Sequence, residues 1–304
     1  MSVIVVGSGS KAGAWRMRGE QVARALGAPV YAQDVRYPKD LPRAPAGGVA
    51  LVIKRAPLAT FLALRRLGWR VVWDPVDFWP QPDTFSTMAE AAQFAVRSII
   101  ERAPDAVVLS GRAMYEDIVP RMPSHSAVKF AIVPHHHDER LRGRVRTGFH
   151  ALGYCGRLSY IDAWRHHIAA WCARRRIRFV MTPDVESFDV DVVIAPRVGV
   201  WQSQVNRRWK SNVKQANAFA LGCPFVSTRQ CTYEEFDTRG LCLMADSLQE
   251  FLDHLDVLYV MARDAPEDFA AVSRAMQVCA SKFSLRALLP LYENVIKAAR
   301  HAVT

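Results

Sequence analysis

Two carboxylates and two ammonium groups in this sequence stand where they could do chemistry: Asp74 with Asp77, and Lys210 with Lys214. The aspartates close a short apolar run in Trp73-Asp74-Pro75-Val76-Asp77-Phe78-Trp79. At the carboxyl end of a strand in an open α/β sheet, a carboxylate lies in the crevice where ligands bind. There it can take a proton from an attacking hydroxyl or hold sugar hydroxyls by hydrogen bonds, and the neighbouring rings can stack on a ligand. The plainer alternative is that one aspartate caps a turn that the prolines stiffen. The lysines lie in Lys210-Ser211-Asn212-Val213-Lys214, which opens a small-residue helix ending at Gly222. Two cations beside a helix N-terminus make an anion site.

Further candidates lie in the first half. The turn Gly7-Ser8-Gly9-Ser10-Lys11-Ala12-Gly13 follows a strand and precedes a helix, so its N–H groups could cradle an anion. Its spacing, G-x-G-x-x-x-G, is not the dinucleotide fingerprint, and a plain tight turn explains it equally well. Trp15-Arg16-Met17-Arg18 sets two guanidinium groups beside an indole, an arrangement that could hold a phosphate or a sugar ring. A solvated helix end is the alternative. His135, His136 and His137 follow a predicted strand. Neighbours in an extended segment point to opposite sides, so the three cannot converge on one ion, and no metal site is expected. Gly9, Trp15, Arg16, Arg18, Trp79, His135, His136 and His137 form the candidate acceptor-binding set.

These residues need a scaffold, and the hydrophobic pattern supplies one. Short β-rich runs at Ser2 to Val6, Val49 to Ile53, Arg70 to Trp73, Ala106 to Leu109 and Phe130 to Val133 alternate with segments of helical period. The pattern restarts at Ala151 to Cys155 and continues through Arg178 to Met181, Val190 to Ile194 and Pro224 to Ser227, again with helices between and a helical C-terminus. This predicts an α/β protein of two Rossmann-like doubly wound domains facing a cleft, 1–147 and 148–304. The basic linker carrying Arg140, Arg142, Arg144 and Arg146 is expected to face cleft or solvent.

The chain has 304 residues, half of them hydrophobic, which suits two folded domains and excludes intrinsic disorder. Its 40 basic residues outnumber its 29 acidic ones, a net charge of +11. The residues up to Thr147 hold 21 basic and 13 acidic groups, so +8 falls there. Only eight of the basic residues are Lys, and the Arg fork suits phosphate. An anionic partner is expected: a glycan, a lipid-linked sugar or DNA. No window approaches about 18 consecutive apolar residues, so no spanning helix is expected. The six dispersed Cys contain no C-x-x-C pair and suit a reducing cytoplasm, with peripheral contact at the inner face of an anionic membrane as an option.

Lys210-Ser211-Asn212-x-Lys214-x-x-Asn217-Ala218-x-Ala220-x-Gly222-x-Pro224, the strand after it and the step Tyr233-Glu234-Glu235 resemble the GT-B glycosyltransferases, in particular the retaining glycosyltransferase family 4 (glycosyl transferases group 1). Leu152 to Arg157 looks like the Gly-rich turn opening that family's donor domain, and Val108 to Tyr115 with Ile132 to His137 look like the last strands of its acceptor domain. The resemblance implies sugar transfer from a nucleoside diphosphate sugar such as a UDP-sugar to a hydroxyl, with retention of configuration. It implies donor contacts at Gly156, Arg157, Ser211, Asn212, Asn217, Tyr233, Glu234 and Glu235. Lys210 and Lys214, with Arg157, would neutralise the departing diphosphate without an obligatory metal or other cofactor. Asp74 and Asp77 would serve the acceptor, first a surface glycan or lipid-linked sugar and alternatively hydroxymethylated bases of DNA. Where many members carry Glu-x7-Glu, this chain has Trp209 and Asn217, and the usual Lys after the donor turn is Asp162. A binding module without chemistry is the reading from another class.

Overall fold

The structure is a computed structural model and describes residues 2–9, 13–32, 40–78, 85, 87–237 and 239–301. The first sheet takes strands β1 (Val3–Gly7), β2 (Val30–Ala32), β3 (Val49–Ile53), β4 (Arg70–Asp74), β5 (Ala106–Leu109) and β6 (Lys129–Ile132), all parallel, in the order β2-β1-β3-β4-β5-β6. Every residue of β1 and β3 is buried, which is why these strands read as unbroken Val/Ile/Leu runs instead of alternating. Between them come a π-helical turn (Trp15–Gln21) running into α1 (Val22–Leu26), then α2 (Leu58–Arg66), α3 (Met88–Arg102) and α4 (Arg112–Ile118). A capping box starts α3: Thr87 Oγ1 accepts from Glu90 N–H, and Glu90 Oε2 accepts from Thr87 N–H. The strand β2 was not expected from the sequence. It is a three-residue edge with exposed side chains, so it carries no hydrophobic pattern.

The second sheet is built from β7 (Ala151–Cys155), β8 (Arg178–Thr182), β9 (Val192–Ala195), β10 (Phe225–Thr228) and β11 (Cys242–Ala245), parallel in the order β11-β10-β9-β7-β8. Its helices are α5 (Asp162–Arg175), α6 (Gln204–Trp209), α7 (Val213–Leu221), α8 (Cys231–Phe236), α9 (Leu248–Asp264) and α10 (Pro266–Ala280), and α11 (Leu285–Arg300) is the last described helix. Strand order reverses between β1 and β3 in one sheet and between β7 and β9 in the other. These switch points are where open sheets receive ligands. Among the described residues no helix is long and apolar enough to cross a membrane.

The chain passes between two compact units more often than the single crossing expected near residue 147. Unit 1 holds the described residues of Met1–His135, Arg208–Ser211 and Leu285–Thr304, and unit 2 holds His136–Arg207 and Asn212–Ser284. The reason for the last return is an apolar stripe. Leu285, Leu288, Tyr292, Val295, Ile296 and Ala299 are buried along one face of α11, and several of them share a core with Val5, Leu51, Val72 and Val108 of the first sheet. The basic linker belongs to unit 2; Arg142 and Arg144 are exposed, in line with the expectation of cleft or solvent, whereas Arg146 departs from it, buried against Asp189 at 2.8 Å. Burying a guanidinium at that depth carries a large desolvation cost, which the Asp189 carboxylate offsets.

One buried network ties unit 1 together. Arg18 Nη1 donates to Asp74 Oδ2 (2.8 Å) and to the Tyr292 hydroxyl (2.7 Å), its Nη2 donates to the Val133 carbonyl (2.8 Å), and the Tyr292 hydroxyl donates to Asp74 Oδ2 (3.1 Å). Asp74 Oδ1 accepts from Val76 N–H at 3.0 Å. Burial opposes the charge of Arg18, but Asp74 and Tyr292 outweigh it and its pKa rises; burial and the same carboxylate push the Tyr292 phenol well up. Removing the carboxylate leaves an uncompensated buried cation. Asp74→Ala is therefore expected to lower unfolding free energy by about 3–5 kcal/mol, and Tyr292→Phe by about 1–2 kcal/mol, in urea titrations of the intact chain. An unchanged midpoint for Asp74→Ala would remove the network from the stability of this unit.

Candidate active site

The carboxyl ends of β3 and β4 form one constellation in unit 1. Asp77 Oδ2 accepts from Lys210 Nζ at 2.7 Å, and Lys54 Nζ stands 3.6 Å from Asp77 Oδ1. The sequence expectation that Asp77 and Lys210 are functional thus brings together two residues 133 positions apart. The backbone that presents Asp77 is strained: Lys54 (φ 58°), Val76 (φ 65°) and Phe78 (φ 31°) all lie in the left-handed region. For a β-branched residue such as Val76 this costs about 1–3 kcal/mol and persists only where the surroundings enforce it. Here Asp74 Oδ1 holds Val76 N–H, and the Pro75 carbonyl accepts from Asp77 N–H at 2.9 Å.

Beside this turn opens a cavity of about 410 Å³, lined by Lys54, Trp73, Phe78, Phe94 and Arg102 among others. The Arg102 guanidinium lies 5.1 Å from the Trp73 ring centroid and 5.7 Å from that of Phe61, and burial lowers its pKa. The segment Arg208–Ser211 is fixed to the same unit. Arg208 makes a two-pronged bond to Asp117 at 2.7 and 2.9 Å, and Trp209 Nε1 donates to Asp117 Oδ2 at 2.8 Å. Trp209 is therefore an anchor for Lys210.

Several expected contacts in unit 1 have structural duties instead. Asp74 and Arg18 are fully buried in the network with Tyr292, so neither reaches a ligand. Trp15 is buried across Gly7 and Gly19; a Cβ on Gly7 would lie 2.2 Å from its ring, which is why both neighbours are glycine. Its indole N–H bonds Glu20 five residues on, as the wider π-turn allows. Gly9 sits at φ 58° against Ala32, and residues 10–12 of its turn lie outside the described residues. Arg16 is half-buried on the same turn. Trp79 lies outside the described residues. His135 and His136 are buried and His137 is half-buried, with the unit boundary between the first two. Burial lowers the pKa of His137 despite its contact with the Asp138 carbonyl. Among the described residues no group of three or more His, Cys, Asp or Glu is placed to hold a metal ion.

The second constellation lies at the switch point of unit 2. The Gly156-Arg157 turn leaves β7 with Gly156 at φ 149°, and a Cβ there would stand 2.9 Å from Lys214 Nζ. The Lys214 ammonium nitrogen is buried, 3.8 Å from the Tyr154 ring centroid and 5.7 Å from that of Tyr160. Tyr154 in turn donates to the Arg157 carbonyl at 2.7 Å, which fixes the turn. Arg157 is exposed. Asn212 is buried at the start of α7, and Asn217 Oδ1 accepts from Asp138 N–H at 2.9 Å. Lys210 and Ser211, expected beside Lys214, belong to unit 1, while Asn212 and Lys214 belong to unit 2. The four-residue spacing of the lysines therefore does not define a pair within one unit.

The Tyr233-Glu234-Glu235 step is corrected in part. Tyr233 is a core residue, edge-on to Phe225 at 5.1 Å, and its carbonyl accepts from Gln215. Glu234 is exposed and paired with Arg229 at 2.6 Å, and Glu235 is half-buried on α8. Sequence reasoning missed Tyr154, Tyr160 and Arg197. Arg197 carried a legible signal: it follows Pro196 directly after a buried strand, at the ligand-binding end of the sheet. The cysteines are free, and burial pushes the thiols of Cys172 and Cys223 up to about 12, so neither is a nucleophile.

Gly156→Ala is expected to displace Lys214 from the Tyr154 face and to strain the turn, at a cost of about 1–3 kcal/mol. Urea unfolding reads the cost and a crystal structure of the variant reads the displacement. An undisturbed Lys214 would mean that the turn and the lysine are not coupled.

No family model matches the chain, and no curated protein matches it in sequence. Solved structures do match. HepE (Alr3699) of Anabaena, in complex with UDP and glucose, is similar over 99% of this chain and 100% of its own, with a TM-score of 0.61 at 11% identity. A glycosyltransferase from Rickettsia africae is similar over 99% of both chains, with a TM-score of 0.63 at 9% identity. Sucrose-phosphate synthase from Thermosynechococcus elongatus gives 0.61 at 11% identity, over 98% of this chain and 100% of its own. The two parallel sheets with their helices are thus those of the GT-B fold, which this chain has in common with these glycosyltransferases.

Proposed function

We propose that the chain is a glycosyltransferase that moves a sugar from a nucleoside diphosphate sugar to a hydroxyl acceptor, with the donor held in unit 2. The observation that carries this reading is the buried Lys214 ammonium, set on the Tyr154 ring directly against Gly156 at the β7/β9 switch point. A glycine there lets a diphosphate approach the backbone closely, and a cation held in a desolvated position needs no reorganisation when charge develops. In the reaction the bond between sugar C1 and the diphosphate oxygen breaks, and its electron pair leaves with the diphosphate. A bond from the acceptor oxygen to C1 forms, and the hydroxyl proton is released. Lys214, Arg157 and the N-terminal amides of α7 oppose the growing negative charge. Asn217, whose carbonyl oxygen is engaged by Asp138, keeps its NH₂ to donate to a ribose hydroxyl.

Unit 1 would receive the acceptor beside Asp77, whose carboxylate orients a hydroxyl and is itself fixed by Lys210 and Lys54. The adjoining cavity offers ring faces and the Arg102 cation to a sugar bearing negative charge. A glycan or lipid-linked sugar suits this lining, and the excess positive charge of the first 147 residues favours an anionic one. The UDP bound to HepE supports a UDP-sugar as the first donor to try.

Incubation with a panel of nucleotide sugars should release nucleotide, and Lys214→Ala should cut turnover by about 10²-fold or more while melting as the wild type does. Release by the variant at the wild-type rate would take Lys214 out of the reaction. Failure of the wild type both to bind and to release any nucleotide would leave the fold without this activity.

A further inference from the structure

Among the described residues three arginines are more than nine-tenths buried: Arg18 (0% exposed), Arg146 (2%) and Arg197 (4%). The first two lie against carboxylates, Arg18 at 2.8 Å from Asp74 and Arg146 at 2.8 Å from Asp189. Arg197 differs. Among the described residues it makes no ion pair; its Nη1 donates to Gln230 Oε1, its backbone N–H donates to Thr228 Oγ1 at 3.0 Å, and its guanidinium stands 5.7 Å from the Tyr160 ring centroid. Its Nε, like those of Arg18 and Arg146, is buried without a hydrogen-bond partner, so the missing carboxylate is what sets it apart. A guanidinium cannot shed its proton, so a buried one without a counter-ion is a standing electrostatic cost that a bound anion would remove.

The place for that anion is present. Arg197 lines a cavity of about 250 Å³ with Trp201, Arg207, Thr228, Arg229 and Gln230, at the carboxyl ends of β9, β10 and β11. The two other arginines have partners already. Arg207 reaches Asp246 at 3.3 Å, and Arg229 reaches Asp246 at 3.0 Å and Glu234 at 2.6 Å. Two acidic and three basic groups leave one positive charge, and it is the buried one. The Tyr160 ring links this cavity to the diphosphate position, since the Lys214 ammonium and the Arg197 guanidinium each lie 5.7 Å from its centroid. A nucleoside on one side and a sugar on the other extend from a diphosphate at Lys214; the nucleoside carries no anionic group, so the sugar is the part that can bring Arg197 a counter-ion.

We propose that the donor sugar bears a carboxylate and that Arg197 binds it, so that the preferred donor is a nucleoside diphosphate uronic acid. The inference rests on the donor-site reading above and adds the substrate class. The planar fork of Arg197 pairs a carboxylate through two parallel bonds, with Gln230 holding the guanidinium and Thr228 the Arg197 backbone. A neutral hexose in the same seat leaves the guanidinium without its counter-ion. A site that loses a buried partner in this way discriminates far more strongly than one that loses an apolar contact.

Calorimetric titration of the intact chain with UDP, UDP-glucose and UDP-glucuronate tests this. UDP-glucuronate is expected to bind at least about tenfold more tightly than UDP-glucose. Arg197→Gln should remove the difference without changing the affinity for UDP itself. Equal affinity of the wild type for the two sugars overturns the inference, as does a preference that survives in a folded Arg197→Gln variant. The comparison on the wild type needs no substitution, so a variant that folds poorly does not blunt it. UDP that binds without any preference for the acidic sugar sinks this inference alone; failure of all three ligands to bind sinks the donor-site reading and this inference with it.

Discussion

The ion pair between Arg18 and Asp74 is the constraint on which unit 1 is built. Its hydrogen bonds join a π-helical turn, the end of β4, the backbone just past β6 and α11, parts of the chain separated by as many as 274 positions. Because the pair is wholly buried, no member can move without leaving a charge or a hydroxyl without a partner. That rigidity has a local product. Asp74 spends one oxygen on Arg18 and Tyr292 and the other on Val76 N–H, and this holds Val76 in the left-handed conformation that turns Asp77 toward Lys210 and Lys54. The strain at Val76 and Phe78 is thus sustained by a network that itself reaches no ligand.

The same rule explains the arrangement of the other charges. Arg146 is buried because Asp189 and Asp191 accompany it, and the basic linker it belongs to, which composition alone suggests is a solvated run, is threaded with carboxylates from its own unit. Arg140 lies against Asp138 and Glu186, which raise its pKa although burial opposes them. The positive excess of the sequence therefore overstates the field at these sites. Ring faces lie against the cations of Arg102 and Lys214, and at Arg197 an amide oxygen stands where Arg18 and Arg146 have a carboxylate.

The scaffold was legible because its signals are local. Buried parallel strands announce themselves as Val/Ile runs, and nine of the eleven described strands lie where those runs predict them, β2 and β11 being the exceptions. Both are short edge strands without the β-rich pattern. The site was less legible because its contacts are not local. Trp15 and Arg18 carry the residue types of a sugar or phosphate site, yet the glycines around one and the carboxylate distant from the other make them core. Residue type could not decide between the two uses, since an aromatic beside two arginines packs as readily as it binds. Asp77 and Lys210 were each singled out for different reasons, and only the fold reveals that they are partners.

The return of α11 to unit 1 shows how far a pattern can be right in kind and misplaced in space. Its apolar stripe has the 3.6 period of a core-facing helix, and periodicity says only that a partner surface exists. Sequence proximity would assign that partner to the neighbouring second sheet, but the buried hydroxyl of Tyr292 decides otherwise. A tyrosine at the centre of an apolar face must find a polar partner, and unit 1 supplies two, Arg18 on the π-helical turn and Asp74 at the end of β4. Polar satisfaction, more than apolar area, specifies which sheet the helix covers, because any apolar surface would bury the stripe but only one satisfies the hydroxyl within it.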